Sequence, residues 1–201
     1  MLTGVILAGG ANRRMKGELK ALLPFGGQPL IVRQVDRMRT VCDEIIVVTN
    51  DPRPYLPILD RSVRIITDFF AGHGTLGGMH AALSLAKHNS VWVVGCDMPF
   101  ISSQAAELMR YRKQDGFEAV IPLVAGKLIP LHGIYDRACT TRIVPLLDRG
   151  ETTLSALLDH IFWSELADRY FQENGVDLNF ISSMKTMEEY EALQNIWMPG
   201  M

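Results

Sequence analysis

The sequence predicts an α/β three-layer sandwich, a mostly parallel sheet with helices on both faces. Three observations carry this expectation. Short apolar, often β-branched runs recur at residues 5–8, 44–50, 63–67 and 91–95. Segments of helical period separate most of them. The strands are also almost continuously apolar rather than alternating, as strands covered on both faces are. At 48% hydrophobic and 21% charged residues, the chain can bury a real core and is too apolar to be disordered. No repeat, low-complexity tract or linker divides it, so one domain over residues 1–201 is expected.

Taken in order, Val5 to Ala8 is a strand stopped by Gly9-Gly10. Gly26-Gly27 marks a turn, after which Pro29 can occupy the first position of a helix. Ile31, Val35, Met38 and Cys42 then form a helical stripe, with Arg33, Arg37 and Arg39 off it. Glu44 to Asn50 is the second strand, and three prolines between Pro52 and Pro57 demand a loop. Val63 to Thr67 and Val91 to Gly95 are the third and fourth strands, with a helix from Met79 to Lys87 between them. Ser102 or Ser103 caps a helix running to about Lys113. Ala119–Val124 and Leu128–Tyr135 read as strands whose prolines suggest an edge or a bulge. Thr186 to Glu189 matches a capping box that opens a last helix through Trp197.

The formal net charge of −2 supplies no basic field for a nucleic-acid partner. Cys42, Cys96 and Cys139 are odd in number and far apart, which fits a reducing compartment and neither a disulfide framework nor a metal pair. No basic leader or signal-type stretch precedes Val5, and no run reaches the ~18 apolar residues of a membrane span. A cytoplasmic chain with no membrane partner is the expectation.

In parallel sheets ligands bind beyond the carboxyl ends of the strands. The first such end carries two glycines that let a ligand approach the backbone, then Arg13, Arg14, Lys16 and Lys20, with Glu18 the one carboxylate among them. Bare N–H groups followed by clustered cations suit a polyphosphate better than a merely solvated basic loop. At the fourth strand end, Asp97 precedes Met98-Pro99 and is placed to hold Mg²⁺ bridging phosphate oxygens. Alone it reads as a helix-capping or turn aspartate, as most Asp-x-Pro segments do. After Asp68, Gly72 to Gly77 matches G-x-G-x-x-G, with Asp97 at the ~20-residue spacing of a ribose-binding acid. The separation of these glycines from the strand argues against a nicotinamide-dependent oxidoreductase and for a flexible lid or base-binding loop. Cys96 reads as a small buried thiol, the five histidines as surface or hydrogen-bonded residues, and Phe69-Phe70 as core packing.

Together, Leu7-Ala8-Gly9-Gly10, Arg14-Met15, Lys20, Thr49-Asn50-Asp51, Asp68, Gly74 to Met79 and Cys96-Asp97-Met98-Pro99 resemble the molybdenum cofactor guanylyltransferase family, in order and approximate spacing over about residues 4 to 193. The resemblance implies a Rossmann-like sheet of the nucleotide-diphospho-sugar transferase type. It also implies Mg²⁺-dependent transfer of GMP from GTP to molybdopterin carrying molybdenum, with release of pyrophosphate. Leu7, Ala8, Gly9 and Gly10 would contact the nucleotide. Arg14 and Lys20 would hold the triphosphate, Asn50 (or Thr49) and Asp68 would contact the nucleotide, and Asp97 would bind Mg²⁺ and act with Arg14 and Lys20 in catalysis. Molybdenum cofactor delivery proteins or target enzymes are then the expected transient partners. A cytidylyltransferase of the same pathway and a non-catalytic nucleotide-binding descendant are the neighbouring readings. The chain departs from the family at Lys16, Leu19 and Ile129-Pro130, and most at Ser183-Met184-Lys185-Thr186-Met187, where the family carries N-x-N-T-P. Lys185 would there replace amide hydrogen bonds with a charge contact to the acceptor phosphate.

Overall fold

The computed structural model describes residues 1–9, 14, 15, 18–70 and 72–197. Eight strands form its main sheet: β1 Leu2–Leu7, β2 Glu44–Val48, β3 Val63–Ile66, β4 Ser90–Gly95, β5 Ala119–Val124, β6 Lys127–Leu128, β7 Gly133–Asp136 and β8 Trp163–Ala167. Their order is β6-β5-β7-β4-β1-β2-β3, with β8 also paired to β5. Strands β4, β1, β2 and β3 are mutually parallel, β7 runs antiparallel between β4 and β5, and β8 is parallel to β5.

Alternation along β1 distributes its side chains to two cores. Leu2 and Ile6 pack in a cluster with Ile31, Val35 and Met38 of α1 (Leu30–Met38) and with Ala105, Ala106 and Met109 of α3 (Ser103–Lys113). Val5 and Leu7 pack in a second cluster with Leu76, Met79 and Leu83 of α2 (Gly74–Leu85), and with α4 (Thr140–Asp148) and α5 (Leu154–Leu158). Complete burial of each such aliphatic side chain is worth ~1.5–3 kcal/mol. The expected three layers therefore follow from the apolar strands. Helix α6 (Asp168–Glu173) follows β8, and α7 (Met187–Ile196) closes the chain over a third cluster containing Phe25, Leu30, Met184 and Tyr190.

Several expectations are corrected. Pro29 caps α1 from outside rather than occupying its first turn. Arg33, off the apolar stripe, is nonetheless buried, its guanidinium 3.6 Å from the Trp197 ring centroid. Helix α2 begins at Gly74, so the glycine-rich segment from Gly74 is helix and not a flexible loop. Leu128–Tyr135 is two strands, separated by residues 129–132. Pro122 sits inside a strand with neighbours on both sides: it faces Leu166 of β8, and its carbonyl accepts from Ile129 N at 2.9 Å, so pairing survives the missing N–H. Phe69 is exposed, while Phe70 packs edge-on against His80. The Ser102 cap and the reciprocal Thr186–Glu189 capping box form as expected.

Candidate active site

Leu7 is in register with Val48 of β2 and Gly95 of β4, and Val48 with Ile66 of β3. Four parallel strands therefore end flush, and Ala8-Gly9, Thr49-Asn50, Thr67-Asp68 and Cys96-Asp97 emerge on one rim. Backbone bonds hold the exits together: Ala8 N donates to Val48 O at 2.7 Å, Thr49 N to Ile66 O at 2.9 Å and Cys96 N to Leu7 O at 3.2 Å.

Asp68 and Asp97 on this rim each lie over a glycine. Asp68 accepts from Phe70 N through Oδ1 at 2.8 Å, and its Oδ2 lies 2.8 Å from where a Cβ on Gly77 would stand. Gly77 thus leaves room for Asp68 over the first turns of α2, where the helix dipole favours negative charge. Burial lowers the pKa of His80, and Asp68 partly offsets this. Asp97 sits in the turn Gly95 to Met98, closed by Met98 N on Gly95 O at 3.3 Å, and its Oδ1 is 2.6 Å from the place of a Cβ on Gly95. Asn50 is exposed at the end of β2, its Oδ1 3.2 Å from the place of a Cβ on Gly9, while Thr49 is buried and bonded within its own turn to Asp51.

The Lys20 ammonium reaches this rim by an unexpected route. Nζ is buried and donates to the carbonyls of Met184 at 3.0 Å and Lys185 at 3.1 Å. Met184 N in turn donates to Asp97 O at 2.8 Å. Lys20, the aspartate turn after β4 and the segment entering α7 are thereby tied together. Gly10, Arg13, Lys16 and Gly17 lie outside the described residues, as does the side chain of Arg14; its backbone pairs with Leu19.

Beside Asp97 opens a cleft of about 530 Å³ lined by Thr75, Pro130, Thr153, Ser183 and Lys185 among others. Its hydroxyls from Thr152, Thr153 and Ser155 were not anticipated; they arrive because α5 begins at this rim, capped by Thr153. Gln34, on the buried stripe of α1, was also missed. A polar residue three after Ile31 and four before Met38 was the available signal.

Among the described residues no group of three or more His, Cys, Asp or Glu could hold a metal by itself. Asp97 fits a hard divalent ion of another kind, one completed by substrate phosphate oxygens and water, for which one or two carboxylates suffice. Its carboxylate lies over Gly95 at the edge of the cleft, where side-chain bulk is absent. The residues thus permit anion binding, cation binding and an acceptor within one site.

Comparison with known proteins bears on the family and the fold. Residues 4–166 match the model of the MobA-like NTP transferase domain. A molybdenum cofactor guanylyltransferase of Desulfosudis oleivorans is 30% identical over 94% of this chain and 93% of its own length. A probable molybdenum cofactor guanylyltransferase of Bacillus cytotoxicus is 30% identical over 96% of each. The crystal structure of molybdopterin-guanine dinucleotide biosynthesis protein A from Archaeoglobus fulgidus shares the fold with a TM-score of 0.81 at 21% identity, over 96% of this chain and 97% of that one. A Mycobacterium tuberculosis protein solved in complex with manganese shares it at a TM-score of 0.70 and 18% identity, over 96% and 98%. A nucleotidyltransferase assignment displaces the oxidoreductase reading of Gly72–Gly77, whose glycines are set apart from β3 by residues 67–71. The chain belongs to the MobA-like NTP transferase family and is a nucleotidyltransferase.

Proposed function

We propose that the chain transfers GMP from GTP to the terminal phosphate of molybdopterin carrying molybdenum, acting as a single domain in the cytoplasm. An acceptor phosphate oxygen attacks the α-phosphorus; the bond from that phosphorus to the bridging oxygen of the β-phosphate breaks, and pyrophosphate leaves. The names of the 30%-identical relatives support the guanylyl donor and the molybdenum-bearing acceptor. The observation that supports the reading is the link Lys20–Met184–Asp97, in which a residue near the C-terminus joins a cation of the first strand exit to the aspartate turn of the fourth.

In this reading the backbone of Leu7 to Gly10 contacts the nucleotide, with the Ala8 N–H held by Val48 O and so kept for the sheet, and Asn50 and Asp68 contact the nucleotide as well. Arg14 and the remaining N–H of Lys20 counter charge on the leaving pyrophosphate. Asp97 holds Mg²⁺, which when bound neutralises phosphate charge and aligns the triphosphate. Because the acceptor is already an anion, the protein's main work is positioning and charge compensation. Lys185, on the cleft wall, meets the acceptor phosphate. Transient contact with molybdenum cofactor delivery proteins or target enzymes follows from the instability of such a product. The site needs no nucleic acid or membrane, and no described helix is long and apolar enough to span one.

The test is pyrophosphate release measured across the four nucleoside triphosphates, with and without molybdopterin. Release with GTP and molybdopterin together is expected. Release with CTP alone would replace the base and keep the chemistry, and GTP binding without release would make the chain a non-catalytic module.

A further inference from the structure

Helix α1 reaches the Asp97 turn with two consecutive side chains. Gln34 is fully buried, and its Nε2 donates to Gly95 O at 2.8 Å and to Met98 O at 2.9 Å. Those two carbonyls bracket Asp97 in the chain. Arg33 Nε adds a bond to Pro99 O at 3.2 Å. The orientation of the Gln34 amide is fixed by chemistry: both facing atoms are acceptors, so only the NH₂ end can meet them. Its other end, Oε1, is buried and has no hydrogen-bond partner among the described residues. A buried amide oxygen left unsatisfied opposes folding, and an apolar side chain of equal length would avoid that penalty on the Ile31–Met38 stripe but forfeit the two bonds to Gly95 O and Met98 O. The chain therefore carries an amide where packing alone favours an apolar residue. What the amide supplies is a two-point grip on the turn whose aspartate folds back over Gly95.

We propose that Gln34 is a positioning residue for the transfer reaction, clamping the Gly95–Met98 turn so that the Asp97 carboxylate stands where the nucleotide and its divalent ion require it. This rests on the reading of Asp97 as the cation ligand. Gln34 acts through the backbone and stays clear of the substrate. Its effect enters through geometry, and a misplacement of ~1 Å in a well-oriented site costs about 100-fold in rate.

The test uses Gln34→Met, which keeps the length and removes the donors, and Gln34→Glu, whose carboxylate faces two carbonyls and regains a donor only when protonated. kcat, KM for GTP, thermal midpoint and the affinity of the protein–GTP complex for Mn²⁺ by electron paramagnetic resonance are measured, with Asp97→Asn alongside. Gln34→Met is expected to lower the midpoint by about 5 °C through the two lost bonds, to lose at least ~10-fold in kcat and Mn²⁺ affinity when assayed well below that midpoint, and to change KM for GTP by less than about 3-fold. Gln34→Glu should recover relative to wild type as pH falls from about 8 to about 6. Wild-type kcat and Mn²⁺ affinity in Gln34→Met would overturn the proposal, as would losses that vanish when both proteins are assayed equally far below their midpoints. If Gln34→Met does not fold, Gln34→Glu decides: a pH-independent ratio to wild type overturns the clamp. Retained Mn²⁺ affinity in Asp97→Asn would remove Asp97 as the ligand and the proposal with it. Loss in Asp97→Asn without loss in Gln34→Met would remove the clamp alone.

Discussion

The Lys20 ammonium lies 3.0 Å from the carbonyl oxygen of Met184, a bond spanning 164 positions in the chain. Because Met184 N also bonds to Asp97 O, the segment entering α7 is a strut between the two charged groups of the rim. Hydrogen bonds from a charged donor contribute ~1.5–3 kcal/mol each. Lys20→Ala is therefore expected to destabilise the fold by about 2 kcal/mol and to weaken binding of GTP more than of GMP. Urea unfolding and calorimetric titration with both nucleotides check this. Equal losses for GTP and GMP would contradict a contact with the outer phosphates.

Lys185 lines the cleft, and its carbonyl accepts from Lys20 Nζ at 3.1 Å. Lys185→Ala should raise KM for the acceptor by about 10-fold, the scale of one charge-assisted contact, and leave KM for GTP unchanged. Steady-state kinetics with each substrate varied in turn separates the two. An unchanged acceptor KM would remove Lys185 from the site.

Gly95→Ala places a methyl 2.6 Å from Asp97 Oδ1. The carboxylate must move, and a loss of at least ~10-fold in kcat is expected with the fold retained. Circular dichroism and turnover measured on the same preparation test it, and unchanged turnover would show that the observed carboxylate position is not the working one.

Much of this arrangement was legible in the sequence, and the illegible parts share a cause. The apolar strands, the Ser102 cap and the Thr186–Glu189 capping box are local signals, and each formed. Helix α2 was placed too late because glycines lower helix propensity. Gly77 is nevertheless needed beside Asp68, whose Oδ2 would stand 2.8 Å from a Cβ there, so tertiary contact overrides propensity. Strand β8, with Ser164 and Glu165 inside it, shows little strand character alone; it exists because Ala119–Leu123 pairs with it. The rim itself could be read from strand ends carrying glycine and aspartate. The carbonyl partners of Lys20 and Gln34 could not, since backbone acceptors leave no mark in residue type.

His132 is fully buried, accepting from Ser102 N through Nε2 at 3.0 Å, and burial pushes its pKa down to about 3. The neutral form is therefore the native one. Above the unfolded value near 6.5 both states are neutral and the group is silent; below it the unfolded chain binds the extra proton, so stability falls with pH. A loss of about 2 kcal/mol from this group between pH 7.5 and pH 5 is expected, above the range where carboxylates contribute most. Urea midpoints at both pH values should show it. His132→Gln, which keeps an acceptor for Ser102 N, should flatten the dependence; an equally steep variant would assign the acid sensitivity elsewhere.

The shared site of Lys20 and Asp97 is tested most directly by a crystal structure with a non-hydrolysable GTP analogue and Mn²⁺. The account predicts the triphosphate across the Ala8–Gly9 exit within reach of Lys20 Nζ, and the metal bonded to the Asp97 carboxylate at about 2.2 Å. A nucleotide bound away from this rim, or a metal with no contact to Asp97, would contradict it.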